Sequence, residues 1–241
     1  MIRKRKLKKG YVIYYKDQVC LWCAIHEKKC REGQQSSCKE IKQNKDIEII
    51  AISKRQPIER IVSALDSGHK IFGENQVQET INKWPVLRKK YSDIKLHLVG
   101  PLQSNKVKDA ISIFDVIQTV DREKIAKALK KEEDNLKRKI SYMIQINTGK
   151  EPQKSGIMPD DADNFFKYCK EDLKLNITGL MCIPPYKEDP SIHFAYLKKK
   201  KLEYKLPYLS MGMSEDYEKA ITFGATHIRV GTAIFGERPQ K

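Results

Sequence analysis

From residue 47 onward, short apolar runs alternate with amphipathic stretches to the end of the chain. The runs cover 47–52, 70–72, 95–99, 115–117, 142–146, 177–180, 208–209 and 228–230. Continuous apolar runs of this length suit strands buried on both faces, as in a parallel sheet. The stretches between them carry helix signals. Pro57 opens a helix over 58–65, and Asp121 is placed to cap one over 122–137 that sets Ile125, Ala128 and Leu129 on one face. Ser214 precedes Glu215 and Asp216, which puts acids in the first turn of a helix over 217–223. Gly68 and Gly224 stand where helices end. Eight strands alternating with helices predict an α/β fold, a single (β/α)8 TIM-type barrel. An open doubly wound sheet is the structural alternative, because the seventh strand rests on two residues.

Length and composition narrow the class. At 241 residues and 40% hydrophobic content the chain can build one large core. No run approaches the roughly 18 apolar residues of a membrane span. Arg3-Lys4-Arg5-Lys6 has the look of a signal-peptide start, but the apolar run at 11–15 is stopped by Lys16 and Asp17. The expectation is a soluble, cytoplasmic protein without a membrane partner. The net charge of +16 is unevenly spread: residues 1–45 hold 13 Lys and Arg against 4 Asp and Glu, leaving 34 against 27 for the rest. The reading is therefore a basic, Cys-containing extension over 1–45, partly helical or disordered, ahead of a barrel over 46–241. Basic arms can bind nucleic acid, here through 1–9 and 198–201. Aromatic interleaving is thin in both runs, so a nucleic-acid partner is not the expectation.

Four of the six cysteines, Cys20, Cys23, Cys30 and Cys38, fall in the extension with His26. Cys20 and Cys23 are spaced to grip one tetrahedral ion, yet Cys30 and Cys38 do not form a second such pair. A lax zinc knot, a redox pair and unpaired thiols all remain open, and no metal site is assigned. Cys169 and Cys182 read as small buried apolar residues.

In a barrel, chemistry gathers where strands end at the C-terminal face. The first strand ends in Lys54, either a side chain reaching solvent or an amine in the barrel mouth able to form a Schiff base. After the seventh and eighth strands come Ser210, Gly212, Gly231 and Thr232, small residues that let a phosphate approach backbone N–H groups. An amine opposite a phosphate cup fits pyridoxal 5′-phosphate (PLP), and an aldolase-type barrel fits too.

Six separated motifs then carry a resemblance over residues 47–238. They are Ala51-Ile52-Ser53-Lys54, Phe72-Gly73-Glu74-Asn75 with Val77-Gln78-Glu79, the run from Gly100-Pro101-Leu102-Gln103 to Ser104-Asn105-Lys106, Gly179-Leu180-Met181, Leu209-Ser210-Met211-Gly212-Met213-Ser214, and Arg229-Val230-Gly231-Thr232 continuing to Gly236. Together they resemble the pyridoxal phosphate homeostasis protein family (YggS- and PROSC-like proteins). The resemblance implies one barrel similar to the N-terminal domain of alanine racemase, binding PLP and regulating vitamin B6 pools without established catalysis. It also implies site roles: Lys54 as the Schiff-base lysine, Asn75 lining the ring, Arg229 facing the pyridine nitrogen, and Ser210, Met211, Gly231 and Thr232 at the phosphate. An Arg opposite that nitrogen disfavours the pyridinium and weakens the ring as an electron sink.

Two-base racemisation needs a proton acceptor on each face of the bound amino acid. In alanine racemase the second comes from an additional β-domain, for which the residues up to Lys241 leave no room; His97 or Tyr142 would have to take its place, and a lone His on a strand reads as a structural residue. The expected function is thus a monomeric PLP carrier that serves PLP-dependent apoenzymes, with no catalytic residue assigned. A weak PLP-dependent amino-acid racemase is the alternative, and nucleic-acid binding through the basic arm the second. The chain departs from the family in its leader, in the middle of 147–156, and in 186–208, about a dozen residues short, where a reduced sixth helix would weaken one side of the barrel.

Overall fold

The computed structural model describes residues 47–236, together with the backbone of three N-terminal strands: β1 (Ile2–Leu7), β2 (Gly10–Tyr15) and β3 (Gln18–Val19). These pair antiparallel in the order β1-β2-β3. Strands therefore stand where a helical or disordered arm was expected, in keeping with the β-branched and aromatic run Tyr11-Val12-Ile13-Tyr14-Tyr15. Cys20, Cys23, His26, Cys30 and Cys38 lie outside the described residues.

Eight parallel strands follow: β4 (Glu48–Ile52), β5 (Ile71–Glu74), β6 (Lys95–Leu98), β7 (Val116–Val120), β8 (Ser141–Gln145), β9 (Ile177–Met181), β10 (Tyr208–Ser210) and β11 (His227–Val230). They close in sequence order, β11 pairing with β4, which excludes the open sheet. Every apolar run of the sequence falls on one of them, the two-residue seventh included. The outer layer comprises α1 (Ile58–Asp66), α2 (Val77–Lys90), α3 (Val107–Ile113), α4 (Glu123–Leu136), α5 (Ala162–Lys167), α6 (Pro190–Glu203), α7 (Tyr217–Thr222) and α8 (Thr232–Phe235). Among the described residues, no helix is long and apolar enough to cross a membrane.

Local signals behave unevenly. Gly68 and Gly224 take φ of +92° and +91°, the left-handed conformation that ends a helix at little cost to glycine. Asp121 does not cap α4: its carboxylate meets Arg122 Nη1 at 2.5 Å, and the helix begins at Glu123. Nor does Ser214 cap α7, which follows Asp216, whose Oδ1 accepts from the Met213 N–H at 2.6 Å. The shortened 186–208 segment still holds a whole helix. Asp189 caps α6 by accepting from Ser191 N at 2.8 Å, and the helix buries His193, Phe194 and Leu197. The basic run 198–201 lies on it, with Lys200 paired to Asp163 and Glu203 at 2.7 and 3.0 Å.

Strand parity sorts the side chains into two cores. Outward residues such as Phe72 pack against the helices, with Trp84 of α2 at 4.9 Å between ring centroids. The interior holds Val116, Met143 and Met181, and also a run of polar groups. Gln118 on β7 accepts from Ser210 Oγ at 2.6 Å and donates to His97 Nδ1 at 2.8 Å. His227 lies beside His97, 5.9 Å between ring centroids, and its Nε2 meets Glu48 at 3.0 Å.

Burial, aided by the charge of His227, holds the His97 pKa near 3 against an ordinary 6.5. Between those values the unfolded chain binds a proton that the fold refuses, so stability falls as pH drops from about 6.5 towards 3. One such group sets a slope of up to ~1.4 kcal/mol per pH unit. Glu48, lowered to about 2 chiefly by its hydrogen bond with His227, stabilises above its ordinary 4.5 and loses that contribution below it. Urea titrations from pH 7 to 5 should show a flatter profile in His97→Asn, whose Oδ1 can replace Nδ1 but does not titrate; an unchanged slope would contradict a neutral buried His97. Gly100 closes β6 against the end of β5, where an added Cβ would overlap the Asn75 carbonyl. Gly100→Ala should therefore cost about 1–3 kcal/mol in the same assay.

Candidate cofactor site at the barrel mouth

Three neighbouring strands converge on one patch. Arg229 of β11 is level with Ile50 of β4, and Ile52 is level with Gly73 of β5. Ile50, Ile52 and Gly73 share the interior, since a Cβ on Gly73 would lie 2.5 Å from Ile52 Cδ1 and 2.8 Å from Ile50 Cγ2. Lys54, Asn75 and Gly231 follow these strands at their C-terminal ends, Lys54 in the turn after β4. Lys54 and Asn75 are half-buried. The Cβ position of Gly231 lies 3.4 Å from the Ile52 Cβ, so a side chain there would crowd the approach to β4.

Arg229 forms the floor. It is 4% exposed, and its guanidinium donates from Nη1 to Ser210 Oγ and from Nη2 to the Cys182 carbonyl, each at 2.8 Å. Among the described residues no carboxylate reaches ion-pair distance of it. Burial lowers its pKa below the ordinary arginine value. A guanidinium still keeps its proton at neutral pH, so this is a buried cation held by neutral acceptors.

Outside the barrel, the turn bearing Lys54 rests on a charged cluster. Glu74 is fully buried, and its Oε1 accepts from Ser53 Oγ at 2.6 Å, Trp84 Nε1 at 2.9 Å and Lys83 Nζ at 2.6 Å. Desolvation raises the Glu74 pKa, with Lys83 opposing it. Lys83 and Glu74 were not among the expected site residues. Only the motif Phe72-Gly73-Glu74-Asn75 hinted at them, and nothing in the sequence pairs residues on a strand and a helix.

The expected phosphate residues divide. Thr232 is exposed and lines an open cavity of about 880 Å³ with Lys154, Ser214 and the carboxylates of Glu188, Glu215, Asp216 and Glu218, whereas Lys54, Asn75, Arg229 and Gly231 are not in its lining. Such a volume suits a small-molecule ligand. Ser210 lies one layer deeper, level with His227, its hydroxyl engaged by Arg229 and Gln118. Met211 is fully buried and its N–H donates to the His227 carbonyl at 3.1 Å. Neither faces the cavity. Ser214 and Lys154 do, and both lay within stretches the sequence singled out; Gly212, with φ of +93°, turns the chain so that Ser214 arrives at the rim. His97 is buried in the interior, and Tyr142 belongs to the core between barrel and helices, so neither reaches the mouth.

Comparison with known proteins places this geometry. A model of the alanine racemase N-terminal domain matches residues 38–239. A pyridoxal phosphate homeostasis protein of Pasteurella multocida is 38% identical over 202 residues, 80% of this chain and 87% of its own length. The Escherichia coli K12 protein of that name is 35% identical over 202 residues, 80% and 86% of the two chains. PipY of Synechococcus elongatus, solved with PLP bound, superposes with a TM-score of 0.73 at 32% identity, covering 83% of this chain and 98% of that one. An alanine racemase of Clostridium difficile shares the fold at 15% identity and a TM-score of 0.66, covering 86% and 57%. The chain thus belongs to the alanine racemase N-terminal-domain family, among the pyridoxal phosphate homeostasis proteins.

Proposed function

We propose that the chain binds PLP at the barrel mouth as a Schiff base on Lys54 and serves vitamin B6 homeostasis as a carrier, without turning over a substrate. The observation that carries this reading is Arg229, a buried cation with neutral acceptors only, on the strand beside the one that ends in Lys54. Burying a charge is costly, and a ligand offering a ring nitrogen and a phosphate dianion complements it. When bound, PLP supplies an aldehyde and a conjugated ring that can draw electrons. In this reading Lys54 takes the aldehyde carbon, Asn75 lines the ring and Arg229 donates to the pyridine nitrogen. The phosphate falls to Gly231 and Thr232, joined by Ser214 and Lys154 across the cavity. Ser210 and Met211 support from beneath instead: the Ser210 hydroxyl fixes Arg229, and the Met211 N–H is already engaged.

The carrier role follows from the same residues. A permanently charged Arg229 keeps the ring nitrogen unprotonated, which weakens stabilisation of a carbanion. His97 and Tyr142 are enclosed, leaving Lys54 as the base this reading identifies at the mouth. The names of the bacterial relatives and the PLP bound by PipY support a holding role. We take the protein to act as a monomer in the cytoplasm, exchanging PLP with PLP-dependent apoenzymes; the free thiols of Cys169 and Cys182 suit a reducing compartment.

Titration with PLP should produce a near-visible absorbance band, and borohydride reduction should fix the adduct on Lys54, located by peptide mass spectrometry. Lys54→Ala should abolish both. No adduct in the wild-type chain, or one retained in Lys54→Ala, would overturn the assignment. Arg229→Gln should weaken PLP binding by about tenfold or more, the scale of one hydrogen bond from a charged group. Deuterium exchange at the α-carbon of alanine, lost in Lys54→Ala, would instead favour the racemase.

A further inference from the structure

The main chain on both sides of Lys54 is gripped from outside the barrel. Before it, Ser53 is held at every polar atom. Its N–H donates to the Gly73 carbonyl at 3.0 Å, its hydroxyl to Glu74 Oε1 at 2.6 Å, and its carbonyl accepts from Lys83 Nζ at 3.0 Å. After it, the Arg55 N–H donates to Glu79 Oε1 at 2.7 Å. The same Glu79 oxygen meets Lys83 Nζ at 3.0 Å, one turn further along α2. A two-residue device on one helix therefore clasps positions 53 and 55 and leaves 54 between them.

We propose that Glu79 and Lys83 are positioning residues for Lys54, clamping the turn so that its amine meets the cofactor in one orientation. The proposal rests on the cofactor reading above and adds the residues that make the amine ready. Arg55 has φ of +55°, left-handed backbone that a residue with a Cβ adopts at a cost of order 1–3 kcal/mol. The Glu79 contact opposes the relaxation of that conformation. The clamp is itself a costly construction. The Lys83 side chain is 8% exposed and Glu74 is fully enclosed, and an apolar pair of like volume would commonly be as stable. Three acceptors at 2.6–3.0 Å account for the three ammonium protons of Lys83, so it has one orientation to offer. Trp84 Nε1 fixes Glu74 in turn, at 2.9 Å. None of these groups touches the cofactor in this reading; they act through Lys54, by ordering it before capture rather than during it.

Stopped-flow capture of PLP by the wild-type chain, Glu79→Ala and Glu79→Gln tests the clamp, with the adduct located by borohydride trapping and folding checked by thermal melts. Glu79 is a quarter exposed, and its loss leaves Lys83 paired with Glu74, so both variants should melt within a few degrees of wild type. Glu79→Ala should slow capture about tenfold, the scale of one lost hydrogen bond to an ordered group. Glu79→Gln keeps an acceptor for the Arg55 N–H and should recover most of the rate. Capture by Glu79→Ala at the wild-type rate would overturn the clamp, as would a Gln variant as slow as the Ala one, which would make charge rather than geometry the cause. Absence of a Lys54 adduct in the wild-type chain would overturn the cofactor reading and the clamp with it.

Discussion

A guanidinium enclosed in a barrel can only donate, and the arrangement of the interior follows from that constraint. Arg229 gives a hydrogen to Ser210 Oγ, so the hydroxyl proton must point away, to Gln118 Oε1. Gln118 then presents its amide nitrogen to His97 Nδ1, which must accept. His97 therefore carries its proton on Nε2 and stays neutral. One enclosed cation thus fixes the direction of three successive hydrogen bonds, from Ser210 through Gln118 to His97. The usual filling of branched apolar layers gives way here to a polar column whose members have few alternatives.

The same closure decides which residues meet. Parallel strands in register bring every second residue of β11, β4 and β5 to a common interior, so Arg229, Ile50, Ile52 and Gly73 share it, and Gly231, Lys54 and Asn75 follow at the C-terminal ends of the same three strands. A shift of one residue would reverse the set, sending Ile52 outward to the helices and Ser53 inward. The clasp on Ser53 and Arg55 therefore guards parity as well as orientation. Ser53 shows the other side of the rule: as an outward residue it is free to bond Glu74 and receive Lys83 beneath α2.

Strands and glycine-marked helix ends could be read from the sequence because each is a local matter. An apolar run bounded by turn residues declares a buried strand wherever it occurs, and even Tyr208–Ser210 was visible as two apolar residues. Gly68 and Gly224 announce left-handed backbone by their identity. The failures are matters of partnership. Asp121 looked like a cap until Arg122 took its carboxylate, and the Ser210 hydroxyl, assigned to a phosphate by resemblance, is engaged by Arg229 and Gln118. Nothing in the sequence distinguishes Lys83 among 47 basic residues. Its burial depends on Glu74 and on a carbonyl thirty positions away, and neither leaves a local periodicity.

Charge inside the barrel supports the proposed ligand. Glu74 answers Lys83, which leaves Arg229 as an enclosed cation with no carboxylate partner among the described residues. A phosphate-bearing ligand bound there would offset that excess and would stabilise the fold by RT ln(1 + L/Kd) at free ligand concentration L. The two ends of the site differ in firmness. Lys54 stands on a clamped turn backed by a fourteen-residue helix, whereas Ser214 and Thr232 belong to rim segments beside helices of six and four residues, and the cavity they line is open to solvent. In the proposed reading, a Schiff base on Lys54 would be open to hydrolysis wherever water reaches it, which would permit both capture and loss. A racemase has reason to exclude water from that bond until the reaction is over; a carrier has reason to admit it.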